Sequence, residues 1–566
     1  MLGHYNLCTL LEETDEGVPV RKLFISNLAD RTSNKDLEKI FSIYGSVESC
    51  YLKRNNGKSN FAFVTFSNSA DALKARQAAC AMTIQLHCRL LRVSPADSWH
   101  QPDSPENCRK FLSNKDNGGG ERPQEEGNND DAPIHTLNDD CLTEIFLCLP
   151  VADRIRMERV CKRWQAVSHK SWRAVKKLDL SSLTWGLNTR MRKQYVDTPA
   201  LRKVLLKCGN FLNHIDFSHP HILSPSALTI VGKFCPNLQT VDISHINLSQ
   251  AGIRSLSENC KNITKFVMKS LTGPCEKDLA QLFAVNKKLK SLKITKSHHM
   301  SGRCLLHLPC ESIQEIHLHN GIAILPCHMD AALKRCETLR TLSLGSCVCL
   351  DNSTFHVIGT KTTLTTLQLD GEFPIVSAVA LQQIAQLFNL ETLVIRRNYL
   401  LTNKLLHLLA VNCKRLSLLD IFACEFVTNE GLASIATLPN LQHLVISYVT
   451  SITDEGLVGM HNLRTLECHR CITLQDAGVS SLIEMAPNLE LLDLSGCPIT
   501  NTTLEVAIKA TKRRSNNVIL KIVIGDTLTN LAEITQVSPL LQIVNVCLDH
   551  EKNIHNGDMI DLDLYF

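Results

Sequence analysis

From Val175 onward the unit L-x-x-L-x-L keeps returning. It starts at Leu212, Leu238, Ile263, Leu289, Ile313, Leu339, Leu364, Leu390, Leu416, Leu441, Leu463, Leu489, Ile519 and Leu541, mostly 24 to 26 residues apart. No other feature constrains the fold as tightly, because a chain that repeats itself at such a period stacks one small unit on the next instead of closing a single globular core. Two further regularities fix the register. A cysteine stands eight residues after the start at Cys347, Cys424, Cys471 and Cys497, and another stands three before it at Cys235, Cys260, Cys310, Cys336 and Cys413. The cysteines therefore follow the repeat and do not cluster in pairs, so they are expected to be reduced and mostly buried.

Segments such as CPNLQTVDIS and MAPNLELLDLSGCPITNTTL resemble the cysteine-containing leucine-rich repeat common in F-box proteins. The resemblance spans residues 175 to 550 and implies an α/β solenoid, a horseshoe with a parallel inner sheet and full helices outside. Fourteen strands at about 4.8 Å give an inner sheet on the order of 60 Å long, enough concave surface to hold a folded protein. Inner positions of aromatic or basic character, Lys293, His317, Arg396, Phe422 and His469, are the candidate contacts to a protein substrate. A repeat array also needs covered ends. The helical segment before Val175 is expected to cap the start, and the strand LQIVNV with the acidic tail 551–566 the finish.

That helical segment, 134–174, contains the run LNDDCLTEIFLCLPVADRIRMERVCKRW. Leu142, Ile145, Phe146 and Leu149 recur at i, i+3, i+4 and i+7, one stripe of a helix. A second helical stretch follows Pro150 and carries Ile155, Met157, Val160, Cys161 and Trp164. These are too few large residues to enclose a core, so the segment is expected to need a partner surface. The run resembles an F-box: Leu137 opens it, Asp140, Leu142, Glu144, Ile145, Phe146 and Leu149 follow in register, and Asp153, Val160, Cys161, Lys162, Arg163 and Trp164 close it. The resemblance implies docking to a Skp-family adaptor and through it to a cullin, with Leu137, Leu142, Ile145, Phe146, Leu149, Val160, Cys161 and Trp164 facing the adaptor. The run departs from the family at Asn138, where proline is usual, and at Arg154 and Arg159, where leucines are common. Because VKKLDLS follows almost at once, the helices and the repeats are expected to form one rigid body.

Residues 21–97 order themselves as strand KLFISNL, helix NKDLEKIFSIYG, strand VESCYLKR, a turn at Asn55-Asn56-Gly57, strand FAFVTF, helix SADALKARQAA and strand RLLRVSPA. The two-residue alternation of a strand puts Leu23 and Ile25 on one face and Phe24 on the other, and likewise separates Ala62, Val64 and Phe66 from Phe61 and Phe63. With helices over the first face, three phenylalanines lie on an open sheet, which a soluble protein seldom tolerates without a use. This order resembles an RNA-recognition motif (RRM), an α/β sandwich, and implies single-stranded RNA as ligand, with Phe24, Phe61 and Phe63 stacking on bases and Lys22 and Lys58 meeting phosphates. Ser59 and Asn60 stand where the family has a basic residue and a glycine. Twelve Lys and Arg against five acids give residues 21–96 a net charge of +7, whereas residues 1–20 hold four acids and no base, and residues 97–133 carry −5. A flexible acidic N-terminus (1–20) and a disordered acidic linker (98–133) are thus expected on either side of the basic module.

Chemistry of other kinds finds little support. There is no glycine-rich phosphate loop, no G-x-S-x-G elbow and no cysteine with a local catalytic signature, so the chain is expected to be non-catalytic and free of cofactors. The spacing of Cys468 and Cys471 is that of a zinc or redox pair, but the repeat register accounts for both, and His317, His319, His298 and His299 read as a solvated or partner-binding face instead of a metal site. No apolar run approaches the ~18 residues of a membrane span, and the N-terminus lacks a secretory leader, which points to the cytoplasm or nucleus. Together these features describe a substrate-recognition subunit of a Skp/cullin/F-box ubiquitin ligase. The alternative is an RNA-binding scaffold whose F-box and repeats have no role in degradation.

Overall fold

The computed structural model describes residues 18–546 apart from 30, 55–59, 81–82, 88, 97–100, 104–133, 135–136, 188–194, 270–274, 297 and 535–537. Lys58, the Asn55-Asn56-Gly57 turn, most of the expected linker and the 551–566 tail lie outside the described residues. The chain divides into two units at Asp130 and Asp131. No described helix is long and apolar enough to cross a membrane.

In the first unit β1 (Lys22–Ser26), β2 (Val47–Lys53), β3 (Phe61–Phe66) and β4 (Arg92–Pro95) form an antiparallel sheet of order β2-β3-β1-β4. Helices α1 (Asn34–Phe41) and α2 (Ser69–Cys80) cover one face, packing Leu37, Phe41, Ala72 and Ala75 on Leu23, Ile25, Ala62, Val64 and Phe66. Ser33 starts α1 with a capping box, its hydroxyl accepting from the Asp36 N–H while the Asp36 carboxylate accepts from the Ser33 N–H. The expected strand RLLRVSPA is divided: Arg89–Leu90 pairs with Gln85–Leu86 in a small hairpin, and only Arg92–Pro95 joins the sheet. The module also continues past residue 97. The buried Gln101 side chain accepts from the N–H groups of Arg21 and Lys22 and donates to the carbonyls of Lys22 and Ala96, while Asp103 pairs with Arg21. Composition hides this edge, because polar residues build it through hydrogen bonds.

The second unit opens with α3 (Asp139–Cys148), α4 (Val151–Met157) and α5 (Lys162–Ala174). The single helical stretch expected after Pro150 is broken in two, and the Cys161 sulfur accepts from the Trp164 N–H where α5 begins. Fifteen parallel strands follow in unbroken order, from β5 (Lys177–Asp179) to β19 (Leu541–Val544), one more than expected because Lys177–Asp179 already pairs with His214–Asp216. The first, fourth and sixth residues of the units fill one continuous core. The last two units depart from that register. Ile519 is 54% exposed and Leu520 takes the buried place, while β19 pairs Leu541 with Leu520, one residue off the expected start. The outer segments are mostly helices, but Arg303–His307, Gln382–Gln386 and Asp454–Leu457 wind as 3-10 turns, so the expectation of full helices holds only in part.

The eighth residue of ten successive units, Lys296, Asn320, Ser346, Gly371, Arg397, Ala423, Tyr448, Arg470, Gly496 and Asp526, lies in the left-handed region with φ between 50° and 91°. There the chain leaves the sheet, and in the first nine the N–H donates to the seventh-residue carbonyl of the next unit, as from Lys296 to His319, Ser346 to Asp370, Arg397 to Phe422 and Tyr448 to His469. The ninth-residue cysteines point back the other way. Cys424, Cys471 and Cys497 donate through sulfur to the carbonyls of Ile395, Ile446 and Cys468 at 3.2, 3.1 and 2.9 Å. Burial pushes the Cys424 thiol up to about 12, which keeps it protonated and inert.

Helices α3 to α5 are joined to the solenoid by packing and by charge. Val151 and Trp172 belong to the solenoid core. The Glu158 carboxylate accepts from Lys207 Nζ at 2.8 Å and from the Trp172 indole N–H at 2.9 Å, and Lys207 lies on the first outer helix, Thr198–Cys208.

Candidate nucleic-acid and partner interfaces

On the open face of the first sheet, strand register sets Phe24 opposite Phe63. The Phe24, Phe61 and Phe63 rings lie 5.4 to 5.9 Å apart in tilted and edge-on arrangements. Each is half-buried. Lys22 Nζ sits 5.2 Å over the Phe63 ring and Lys53 Nζ 5.9 Å over that of Phe61. Tyr51 lies directly opposite Phe63 on β2 and is 61% exposed, and Arg92 lies opposite Ser26 on β4. Sequence reading missed Tyr51, Lys53 and Arg92, although the same alternation applied to VESCYLKR places Tyr51 and Lys53 on the open side. The arrangement is a flat aromatic platform fringed by cations, able to stack on unpaired bases and to attract a polyanion.

The F-box stripe is used differently from the expectation. Leu142 and Phe146 are almost fully buried with Val167 in a small core that Leu137, Leu149 and Trp164 complete, the Phe146 and Trp164 rings meeting at 5.3 Å. Three helices thus enclose what two stretches were expected to leave open, because α5 supplies Val167 and Trp164 from the other side. Leu142 and Phe146 are therefore not surface contacts. What remains outside is Ile145, 42% exposed, Val160, 57% exposed, and Cys161, with Cys141 and Cys148 on the same helical stripe as Ile145. Arg154, an exception to the family pattern, is buried. Its guanidinium donates to the carbonyls of Phe146, Leu147 and Leu149 at the end of α3 and lies 4.7 Å over the Trp172 ring.

The five candidate residues of the concave face fall into two groups. Lys293 and His317 are register partners on neighbouring strands. Arg396, Phe422 and His469 occupy the seventh position of their units farther along, and Tyr448, which sequence reading missed, links the last two with ring centroids 5.1 Å from Phe422 and 5.2 Å from His469. Arg396 lies 5.9 Å over the Phe422 ring and donates to the buried Asp420 carboxylate at 2.7 Å. Phe422 and His469 are 7% and 2% exposed. They pack against Tyr448, which Arg470 covers in turn, and do not project as contacts. Cys468 and Cys471 each donate to a backbone carbonyl, of Asp493 and Ile446.

Comparison with known proteins sorts these faces by family. Residues 23–88 match the RNA recognition motif model and residues 134–176 the F-box domain model. The chain carries an RRM, an F-box and a leucine-rich-repeat solenoid. A Caenorhabditis elegans protein, EEED8.10, named for an inferred RNA-binding role, is 23% identical over a gapped alignment 560 residues long that covers 91% of this chain and 73% of the worm protein. Human F-box/LRR-repeat protein 12 is 33% identical over 134 residues, 23% of this chain and 39% of the human one. Among solved structures, a chain of the yeast Rad7 and Elc1 complex aligns with 72% of this chain and 93% of its own at 15% identity and a TM-score of 0.38. The F-box implies a Skp-type partner, and the RRM implies RNA.

Proposed function

We propose that the chain is the substrate-recognition subunit of a Skp/cullin/F-box ubiquitin ligase, working in cytoplasm or nucleus, and that its RRM tethers the complex to single-stranded RNA or ribonucleoproteins. The observation that carries this reading is the division of labour within the F-box. Leu142 and Phe146 build the domain, while Ile145 on α3 and Val160 in the turn between α4 and α5 stay in water, apolar side chains that suit an adaptor cleft. Catalysis belongs to the ligase machinery, the solenoid grips the target, and the tether raises local concentration without new contacts. The test is paired replacement Ile145→Asp and Val160→Asp in the full chain. Both sites are exposed, so melting is expected to be unchanged, while Skp adaptor and cullin no longer co-purify and the target protein accumulates. If adaptor and target levels are unmoved, the chain is the RNA-binding scaffold instead.

A further inference from the structure

Charge on the inner face is zoned. Nine lysines against two acids fall between residues 261 and 299, and the fold brings Lys265 and Lys269, on strand Lys265–Lys269 (β8), beside Lys293, on Ser291–Thr295 (β9), with Lys296 at the rim. Among the described residues Lys265, Lys293 and Lys296 make no ion pair. The zone is bounded. On one side Asp179, Asp216 and Asp242 stand in one row at the fifth position of the first three units, and on the other Glu315 follows Ser291 in register. Beyond Glu315 the fifth-position row continues without charge through His317, Ser343 and Gln368. His317 Nδ1 and Gln368 Oε1 are buried there and find no hydrogen-bond partner within the chain. Burial pushes the His317 ring down to about 4, against the opposing pull of Glu315 and with His319, Lys293 and Lys265 adding to the shift, so the ring is neutral near pH 7 and offers a donor and an acceptor.

We propose that this part of the solenoid selects a short carboxylate-rich stretch of a target protein, its acids on Lys265, Lys293 and Lys296 and its extended backbone on His317 and Gln368. The inference rests on the substrate-receptor reading and names what the receptor selects. A patch two strands wide spans only about 10 Å, which fits a few carboxylates. A nucleic acid laid through it would carry its next phosphates onto Asp242 and Asp216 or onto Glu315. The orphaned Gln368 carbonyl, in turn, suits an amide N–H of a peptide.

Fluorescence anisotropy with the full chain tests the assignment, using a labelled peptide bearing a run of glutamates, its glutamine counterpart, its lysine counterpart and a labelled oligouridine. Binding of the glutamate peptide is expected to exceed that of the glutamine peptide about tenfold and to weaken with salt. The combined Lys265→Glu, Lys293→Glu and Lys296→Glu chain should lose that preference and take up the lysine peptide, whereas Lys509→Glu with Lys512→Glu on an outer helix should change nothing. Equal binding of glutamate and glutamine peptides, or equal loss in the outer-helix variant, overturns the proposal. So does oligouridine that stays bound when Phe24, Phe61 and Phe63 are alanine and is released by the lysine reversals. Adaptor co-purification from the lysine variant is expected to be intact, which separates failure here from failure of the receptor reading.

Discussion

Arg154 shows how one side chain can do the work usually given to leucine. A leucine there would fill space, but the arginine fills it and also donates to three carbonyls where α3 ends, those of Leu147 and Leu149 and that of Phe146, which already accepts from the Leu149 N–H. Burial pulls its pKa down without discharging it. Arg154→Leu is therefore expected to destabilise the F-box by about 2 to 3 kcal/mol, because buried acceptors are stranded even though the replacement is apolar. Calorimetry of the full chain would show this as an earlier transition, and an unchanged one would mean that the carbonyls are solvated. The same residue marks a limit of reading from sequence. It stands out as an oddity, and nothing in the run says which groups it meets. The stripe Leu142, Ile145, Phe146 and Leu149 is legible as a helix face for the same reason that its use is not: periodicity reports that a face is buried and is silent on whether the burying surface belongs to this chain or another.

At the scale of elements, the RRM sheet was the most legible part, because strand alternation is rigid. Phe24, Phe61 and Phe63 fall together as expected, and Tyr51 joins them by register. Tyr51→Ala is expected to weaken binding of a uridine-rich single strand by about 1 to 3 kcal/mol at fixed salt, roughly five- to 150-fold, as read by anisotropy. No loss would place Tyr51 outside the RNA path. The left-handed ladder was the least legible element. Lys296, Asn320, Ser346, Arg397, Ala423, Tyr448 and Arg470 share no side-chain chemistry, since a backbone hydrogen bond and not a side chain fixes the position. Glycine fits it without strain, and two units already use it. Gly371→Ala is expected to cost about 1 to 2 kcal/mol and Ala423→Gly to stabilise by less than about 1 kcal/mol, opposite signs that denaturant titration resolves.

At the scale of the molecule, the absence of a spacer between Trp172 and VKKLDLS was a sound sequence signal that F-box and repeats form one body, and the structure supplies the fastening in Glu158. Burial raises the pKa of this carboxyl, and the bonds from Lys207 and Trp172, with the Lys207 charge, more than offset it, so the folded value lies below the ordinary 4.5. A depressed carboxylate stabilises fully above the unfolded value and loses its contribution as pH falls through the folded one. Protection from hydrogen exchange along Thr198–Cys208, taken relative to the unstructured rate at the same pH, is therefore expected to fall below about pH 4.5 and, in Glu158→Gln, already near pH 7. Exchange indifferent to both would show that apolar packing alone holds the joint.

The left-handed ladder has a consequence for how such a chain changes over time. From the unit beginning at Leu289 to that beginning at Ile519, the turn always comes seven residues after the start, although neighbouring starts are as close as 22 residues at Leu441 and Leu463 and as far apart as 30 at Leu489 and Ile519. All the variation in length is accommodated on the outside, like slack in the back of a bound book whose pages stay evenly cut. Insertions and deletions can accumulate along the spine without altering the pitch at which inner side chains are offered, so a target's footprint can outlast large changes in the girth of the protein that reads it.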